Sequence, residues 1–176
     1  MIRSNKSTAA LKQVLAGMPL REYILAEALE AADHDVILLD CATSVDLLHF
    51  AALVAGDYLL IPTRLDKLAV DGVCEALPSL ISLKRFIRCQ FAGILPTFYE
   101  RVTIESQVQI THFAETFGRQ VLPPIPQNTL CRVASRFVKT LWEYGTGSRA
   151  LSGFDAPGGK KVGGYIQVKE RVEDFI

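Results

Sequence analysis

The sequence predicts an α/β fold in which helices cover both faces of a parallel sheet. Three short runs consist almost wholly of apolar residues and are bounded on at least one side by an acid or a proline: 35–40, 58–62 and 91–96. Runs of this length and composition are typical of strands that are buried on both faces. Helical patterns separate the runs, so that strands recur roughly every 20 to 35 residues, which indicates parallel strands joined by helical crossovers.

The first half of the chain has clear signals for where its elements begin and end. Ser7 can cap a first helix and Gly17 can end it, while Pro19 suits the first turn of a second helix. Asp46 places a negative charge at the start of a third helix, and Pro62 ends a strand because proline cannot donate to a ladder. Helices are predicted over 8–16, 19–32 and 47–55, and strands over 35–40 and 58–62.

The second half continues this alternation and then changes in composition. Pro78 is expected to kink or divide a long helix. Helices are predicted over 68–87, from beyond residue 101 to about 117, and over 129–143, with strands over 91–96 and 120–122. Seven glycines then crowd into residues 145–164. We therefore predict an α/β domain over 1–144 and a flexible tail over 145–176, with a small ordered piece at 165–168.

Composition and charge exclude several classes of protein. The chain is 49% apolar and 22% charged with a net charge of zero, so it can bury a core, and any nucleic-acid binding must come from a local patch. The start of the chain lacks the apolar core of a signal peptide, and no apolar run approaches the roughly 20 residues that span a bilayer. Four widely spaced cysteines and three scattered histidines form no metal or redox motif. We expect free thiols, a cytoplasmic location and no membrane partner.

Asp40 is the first candidate site residue. It follows the first predicted strand, and ligands of open parallel sheets bind beyond the carboxyl ends of the strands. A carboxylate at that place can hold a magnesium ion through water. The alternative is that Asp40 only marks where the chain leaves the core.

A set of short segments occurs in a fixed order along the chain. They are Asp-Val-Ile-Leu-Leu-Asp-Cys at 35–41, Leu-Leu-Ile-Pro at 59–62, Leu-Ala-Val-Asp-Gly at 68–72, Gly-Ile-Leu-Pro-Thr-Phe-Tyr-Glu-Arg at 93–101 and Ile-Pro-Gln-Asn at 125–128. In this order and spacing they resemble the C-terminal two-thirds of the ParA/MinD family of partitioning ATPases, and the ParA branch most closely. The resemblance implies an incomplete P-loop NTPase fold of the deviant Walker A type.

The resemblance also implies ATP and magnesium as cofactors and assigns residues to them. Asp40 matches the magnesium-associated acid and is the candidate catalytic residue, holding the ion through water. Thr43 and Ser44 fall in the switch loop that senses the terminal phosphate. The loop that contacts adenine in relatives matches Pro126, Gln127 and Asn128.

Three cations follow on the last predicted helix. Arg132, Arg136 and Lys139 are spaced i, i+4 and i+7, so one helix face can present them to DNA phosphates. The alternative interpretation is an ordinary solvated helix face. By resemblance, the expected partners are a second copy of the chain, non-specific DNA and a ParB-like protein.

The chain departs from the family at two places. The family usually has two prolines where this chain has Ala42 and Thr43, which predicts a looser switch. The chain also contains no Gly-Lys-Ser or Gly-Lys-Thr, and the glycine-rich segment 158–164 follows no buried strand and lacks the hydroxyl of a phosphate loop. In the family, the strand that feeds this loop lies beside the Asp40 strand, so its absence is expected to bare an apolar edge. That edge can be covered in three ways: by the rest of a longer parent protein, by a local rearrangement or by a second chain.

Two functions remain open from the sequence. One is a ParA-like module for DNA segregation or cargo positioning, which is not expected to hydrolyse ATP as this chain alone. The other is a nucleotide-free dimerisation or partner-binding module descended from the family, which then uses no cofactor. A third option is an unrelated small α/β enzyme. The sequence argues against it, because it contains neither a nucleophile elbow nor a Gly-x-Gly-x-x-Gly motif.

Overall fold

A computed structural model describes residues 7–41, 46–82 and 87–175. The chain divides into two compact units. The first unit comprises Met1–Leu59 and Ser82–Gln90, and the second comprises Leu60–Ile81 and Phe91–Ile176. Among the described residues, no helix is both long and apolar enough to cross a membrane.

The described part of the first unit contains three helices, which are α1 (Ser7–Ala16), α2 (Ile24–Glu30) and α3 (Leu47–Ala55). The predicted role of Asp46 is confirmed, because its Oδ1 accepts hydrogen bonds from the backbone N–H of Leu48 at 3.0 Å and of His49 at 3.2 Å. Lys12 of α1 forms an ion pair with the same carboxylate. The second helix is shorter than predicted, since residues 17–23 form turns in which Leu20 has a φ of 53°.

The first predicted strand does not form. Residues 36–40 pair with no strand in the described part of the chain. All four apolar side chains of the run are exposed, and that of Leu38 is 88% exposed. An apolar run becomes a buried strand only where neighbouring strands satisfy its backbone and other elements cover its faces. Without such a neighbour among the described residues, the run leaves its apolar side chains exposed.

Two strands form the sheet, β1 (Tyr58–Arg64) and β2 (Gln90–Thr97). They are parallel, because Asp57 O accepts from Gln90 N at 2.8 Å and Thr97 O accepts from Leu65 N at 3.3 Å, so both strands advance together. The prediction that Pro62 ends its strand is wrong. Among the described strands β1 pairs only with β2, so a proline is tolerated on its unpaired side.

The predicted strand over 120–122 is replaced by a less regular segment that lies alongside β2. Residues 118–120 form a 3₁₀ turn, and Val121 makes a single parallel bridge to Ile94. Backbone hydrogen bonds of 2.8 Å then join Leu122 N to Ile94 O and Ile125 N to Pro96 O. Because Pro123 and Pro124 carry no N–H, a continuous ladder cannot form here.

Two helices pack on the sheet in the second unit, α4 (Lys67–Ser82) and α5 (Ile104–Phe117). Their side chains build one hydrophobic cluster with the strands, whose buried members are Leu65, Val70, Ile94 and Phe113. Pro78 lies within α4 and does not divide it. The predicted continuation beyond Ser82 falls on residues 83–86, which lie outside the described residues.

The C-terminal part of the second unit differs most from the predictions. It contains α6 (Leu130–Arg136), α7 (Leu141–Tyr144), α8 (Arg149–Ser152), the antiparallel pair β3 (Phe154–Asp155) and β4 (Lys161–Val162), and α9 (Gly164–Glu173). The single helix predicted over 129–143 is therefore broken between residues 136 and 141.

The segment predicted as a flexible tail contributes to a second hydrophobic cluster. Ala150 and Val168 are buried there against Leu95 of β2 and Leu141 of α7. Three glycines of this segment, Gly153, Gly163 and Gly164, allow close packing of the backbone. At Gly164, where φ is 82°, an added Cβ would lie 2.5 Å from Gly153 N and 2.6 Å from Leu151 O.

Candidate functional site

The predicted adenine loop is held beyond the carboxyl end of β2. Tyr99 N donates to Ile125 O and Gln127 N donates to Tyr99 O, both at 3.0 Å, so the loop is bridged to the chain that leaves the strand. Pro126 is buried at this bridge. Asn128 Oδ1 accepts from Leu130 N at 2.8 Å, so this carboxamide is used to begin α6.

Gln127 is the residue of this loop whose side chain has no structural role among the described residues. It is exposed, and its side chain makes no hydrogen bond within the described part of the chain. Because an amide offers both a donor and an acceptor, it can recognise a polar ring edge. Of the three predicted adenine residues, two therefore have structural roles and one is available.

Sequence reasoning missed a cationic group at the same edge of the sheet. Arg64 ends β1, its Nε lies 3.1 Å from Asp66 Oδ2, and its guanidinium lies 4.7 Å from the centre of the Phe98 ring. Phe98 follows β2 directly and has a φ of 55°. The sequence signal that could have located Arg64 was the polar stretch that begins directly after Pro62. A guanidinium at the carboxyl edge of a parallel sheet can pair with a phosphate.

The loop that follows Phe98 is fixed by several hydrogen bonds. Glu100 Oε2 accepts from Thr103 Oγ1 at 2.8 Å, and Arg101 Nη1 donates to Asp155 O at 3.3 Å. The Tyr99 ring meets the Phe154 ring edge-on, with centroids 5.5 Å apart. The formerly predicted tail therefore supports the loop beside the adenine segment.

Asp40 lies in the first unit, in an exposed and irregular segment. It makes no side-chain hydrogen bond or ion pair within the described residues. Burial raises the pKa of the neighbouring Cys41 thiol above its ordinary value, and the Asp40 charge raises that pKa further. Thr43 and Ser44 lie outside the described residues, so their predicted place in a switch loop stays a prediction.

The described residues do not fit a magnesium site by themselves. No group of three or more His, Cys, Asp and Glu side chains among them is arranged around a possible ion. Magnesium prefers near-octahedral oxygen ligation and usually shares its site with phosphate oxygens. A single exposed carboxylate at Asp40 gives the ion one ligand, so we derive no chemical step through magnesium.

The three predicted DNA-binding cations are exposed, but they do not share one helix. Arg132 and Arg136 lie on α6, which ends at Arg136, whereas Lys139 lies in the turn that follows. The expected spacing along one helix face is therefore wrong for Lys139, because α6 ends a turn too early. The two arginines remain one helical turn apart, without an ion pair to a described residue.

Comparison with known proteins identifies the family. A family model described as an AAA domain matches residues 1–91, just over half of the chain. The chromosome-partitioning ATPase Soj of Thermus thermophilus is 31% identical over 74% of this chain, which covers 52% of the Soj sequence. The chain belongs to the ParA family of partitioning ATPases. It spans about half to two-thirds of the length of the curated relatives that it matches.

Two solved structures resemble this chain. The cobyrinic acid a,c-diamide synthase of Mycobacterium smegmatis, solved with bound ADP and magnesium, is 27% identical with a TM-score of 0.64, covering 81% of this chain and 62% of that one. The apo McdA of Cyanothece has a TM-score of 0.72 at 19% identity, covering 82% of this chain and 61% of that one. The second likeness concerns the fold alone, an α/β P-loop type with a parallel sheet.

Proposed function

We propose that this ParA-family chain is a partitioning module for DNA segregation or cargo positioning that does not hydrolyse ATP by itself. The observation that carries the proposal is the state of residues 36–40. A hydrolytic site needs the acid at the end of this run opposite a phosphate loop, but here the run is exposed and unpaired.

The chemistry of phosphoryl transfer supports the same proposal. Backbone amides and a lysine of the phosphate loop normally offset the charge of the phosphates, and its hydroxyl holds magnesium. This sequence contains no Gly-Lys-Ser or Gly-Lys-Thr. Asp40 then lacks the opposing groups, and we propose that ATP and magnesium bind only where another polypeptide supplies them. In such a complex Gln127 faces the base and Arg64 a phosphate.

The DNA-binding part of the proposal depends on α6. Arg132 and Arg136 present two exposed cations, and Lys139 adds a third in the turn beyond them. With a net charge of zero over the whole chain, this local patch is what would hold DNA phosphates. A homodimer and a ParB-like partner belong to the same proposal by family resemblance.

Duplex binding at several salt concentrations tests the DNA role. We expect the affinity for a fluorescent duplex to fall steeply with salt, and Arg132→Ala or Arg136→Ala to reduce the slope by about one each. Arg119→Ala removes an exposed arginine elsewhere in the second unit and is the matched control. Equal slopes for all three variants would contradict the role of α6. Phosphate release from ATP, measured in the same samples, is expected to stay at background.

A nucleotide-free interaction module is the second candidate, and one observation favours it. The exposed apolar run 36–39 is the kind of surface that a partner or a second copy covers. A constitutive dimer whose mass is unchanged by nucleotide and DNA, measured by light scattering, would support this candidate over the first.

A further inference from the structure

The turn between α6 and α7 has an unusual C-terminal cap. We call residues Arg136, Phe137, Val138 and Lys139 the α6 tip. Val138 N donates to Ser135 O at 3.1 Å, and Lys139 N donates to Ala134 O at 3.0 Å. This pair of bonds is the Schellman motif, which requires a left-handed residue directly after the cap. Val138 fills that position with a φ of 55°.

A valine at this position does not serve stability. Glycine is the usual residue there, and a β-branched side chain is a genuine outlier in the left-handed region. The side chain also gains little from packing, because Val138 is 85% exposed. Strained residues of this kind cluster at functional surfaces. The strain therefore points to a contact made outside the described chain.

The ring next to Val138 is held in a fixed orientation. Phe137 stacks on Tyr144 of α7 with ring centroids 5.5 Å apart and planes only 14° from parallel. Phe137 nevertheless remains 58% exposed. Because Tyr144 covers one face of the Phe137 ring, its exposed area lies on the opposite face and the edges. The α6 tip thus presents an ordered, flat aromatic surface to solvent.

Cations flank this surface on both sides in the sequence. Arg136 precedes the ring and Lys139 follows it, and both are exposed. The nearby carboxylate of Glu143 is occupied at the start of α7, where Thr140 N and Thr140 Oγ1 both donate to it at 2.8 Å. These hydrogen bonds hold the pKa of Glu143 below its ordinary value, with a smaller contribution from the charge of Lys139. Arg132, further back on α6, adds positive charge.

We propose that the α6 tip binds single-stranded nucleic acid, with a base stacked on Phe137 and phosphates paired with Arg136 and Lys139. Aromatic rings beside cations are the standard arrangement for sequence-tolerant binding of single strands. The inference rests on the proposed DNA-binding role of the same cations and adds the aromatic contact. In a duplex the bases cover one another, so their faces are not available to Phe137.

The test compares three fluorescent oligonucleotides by anisotropy at constant salt: an oligothymidine, an abasic strand of equal length and charge, and a duplex. Phe137→Ala is expected to weaken oligothymidine binding about tenfold, since stacking contributes that much per base, and to leave the other two unchanged. Phe137→Trp is expected to keep the affinity, whereas Phe137→Leu, which stays apolar, loses it. Arg136→Ala weakens all three. Leu68→Ala removes another exposed apolar side chain, on α4, and is the control, with no effect expected.

Three results would overturn the inference. One is an unchanged oligothymidine affinity in Phe137→Ala, and another is an equal loss for the abasic strand. The third is binding to phosphatidylserine vesicles that Phe137→Ala abolishes while oligothymidine binding is unaffected, which assigns the tip to a membrane surface. If any of these results is found while duplex binding stays sensitive to Arg132→Ala, the proposed DNA-binding function is supported and the stacking inference fails. If only the oligothymidine binds and depends on Phe137, the stacking inference survives and the duplex role fails.

Discussion

Val138 holds a backbone conformation that a β-branched residue rarely adopts, with a φ of 55°. The left-handed region costs a non-glycine residue roughly 1–2 kcal/mol, while glycine costs up to about 1 kcal/mol through the entropy of the unfolded chain. We therefore predict that Val138→Gly raises the free energy of unfolding by up to about 1 kcal/mol in urea titrations. Val133→Gly, the same change inside α6, is predicted to lower it by about 1 kcal/mol. A clear loss of stability in Val138→Gly would show that its side chain packs on the folded chain.

Gly164 and Gly158 illustrate two reasons why a position requires glycine, a positive φ and a close approach of another backbone segment. Both have a positive φ, 82° and 80°, but an added Cβ meets backbone atoms at 2.5 Å at Gly164 and nothing within 4 Å at Gly158. We predict that Gly158→Ala costs about 1 kcal/mol of conformational strain, whereas Gly164→Ala adds a backbone clash and costs more than about 3 kcal/mol. Thermal melting of both variants measures the difference. Equal losses would mean that the close approach at Gly164 relaxes freely.

These glycines also show why composition predicted a flexible tail over residues 145–176, whereas the structure forms helices and a strand pair there. Composition cannot distinguish a glycine that permits motion from one that permits two backbones to touch. Gly163 N donates to Gln167 Oε1 at 2.8 Å, and Gln167 Nε2 donates to Lys161 O at 2.6 Å, so the segment is closed by its own side chain. By contrast, the cap of Asp46 was predictable, because an N-cap acts only on residues next to it.

Helix α9 is predicted to contribute to stability as a core element of the second unit. Val168 is 7% exposed within the cluster that contains Leu95 and Leu141, whereas Ile166 on the same helix is 41% exposed. We predict that Val168→Ala lowers the free energy of unfolding by about 2 kcal/mol and Ile166→Ala by less than half as much. Urea unfolding of both variants checks this. Equal and small losses of stability would contradict this prediction and would mean that α9 contributes little to the core.

The broken helix after Arg136 shows a further limit of sequence patterns. A helix end is usually predicted from glycine or asparagine, and here Val138 takes the left-handed position without either signal. Helix α5 ended where predicted, since Gly118 follows Phe117 and adopts a φ of 54°. Helix ends are therefore predicted correctly where a glycine occupies the left-handed position, as at Gly118, and missed where another residue does, as at Val138.

Across the chain, the family and the position of one candidate loop could be predicted, whereas the nucleotide-binding roles assigned to individual residues stay predictions. The order of segments correctly indicated the ParA family and located the loop 125–128 beyond a strand end. The apolar run 36–39 reads as a buried strand because its pattern is local, but burial depends on neighbours that no local pattern reports. Arg64 was missed because Pro62 was taken as the end of the strand, so the polar residues that follow it were not placed at the carboxyl end of β1.

An equilibrium titration with a fluorescent ATP analogue, with and without magnesium, tests the central claim most directly. The claim is that this ParA-family chain has the fold and the loop 125–128 but lacks a phosphate site of its own. We predict no saturable, magnesium-dependent binding at nucleotide concentrations up to the millimolar range, and identical curves for the unaltered chain, Asp40→Ala and the control Asp33→Ala. Magnesium-dependent binding that Asp40→Ala abolishes and Asp33→Ala preserves would contradict the claim, because it would require a phosphate site built around Asp40.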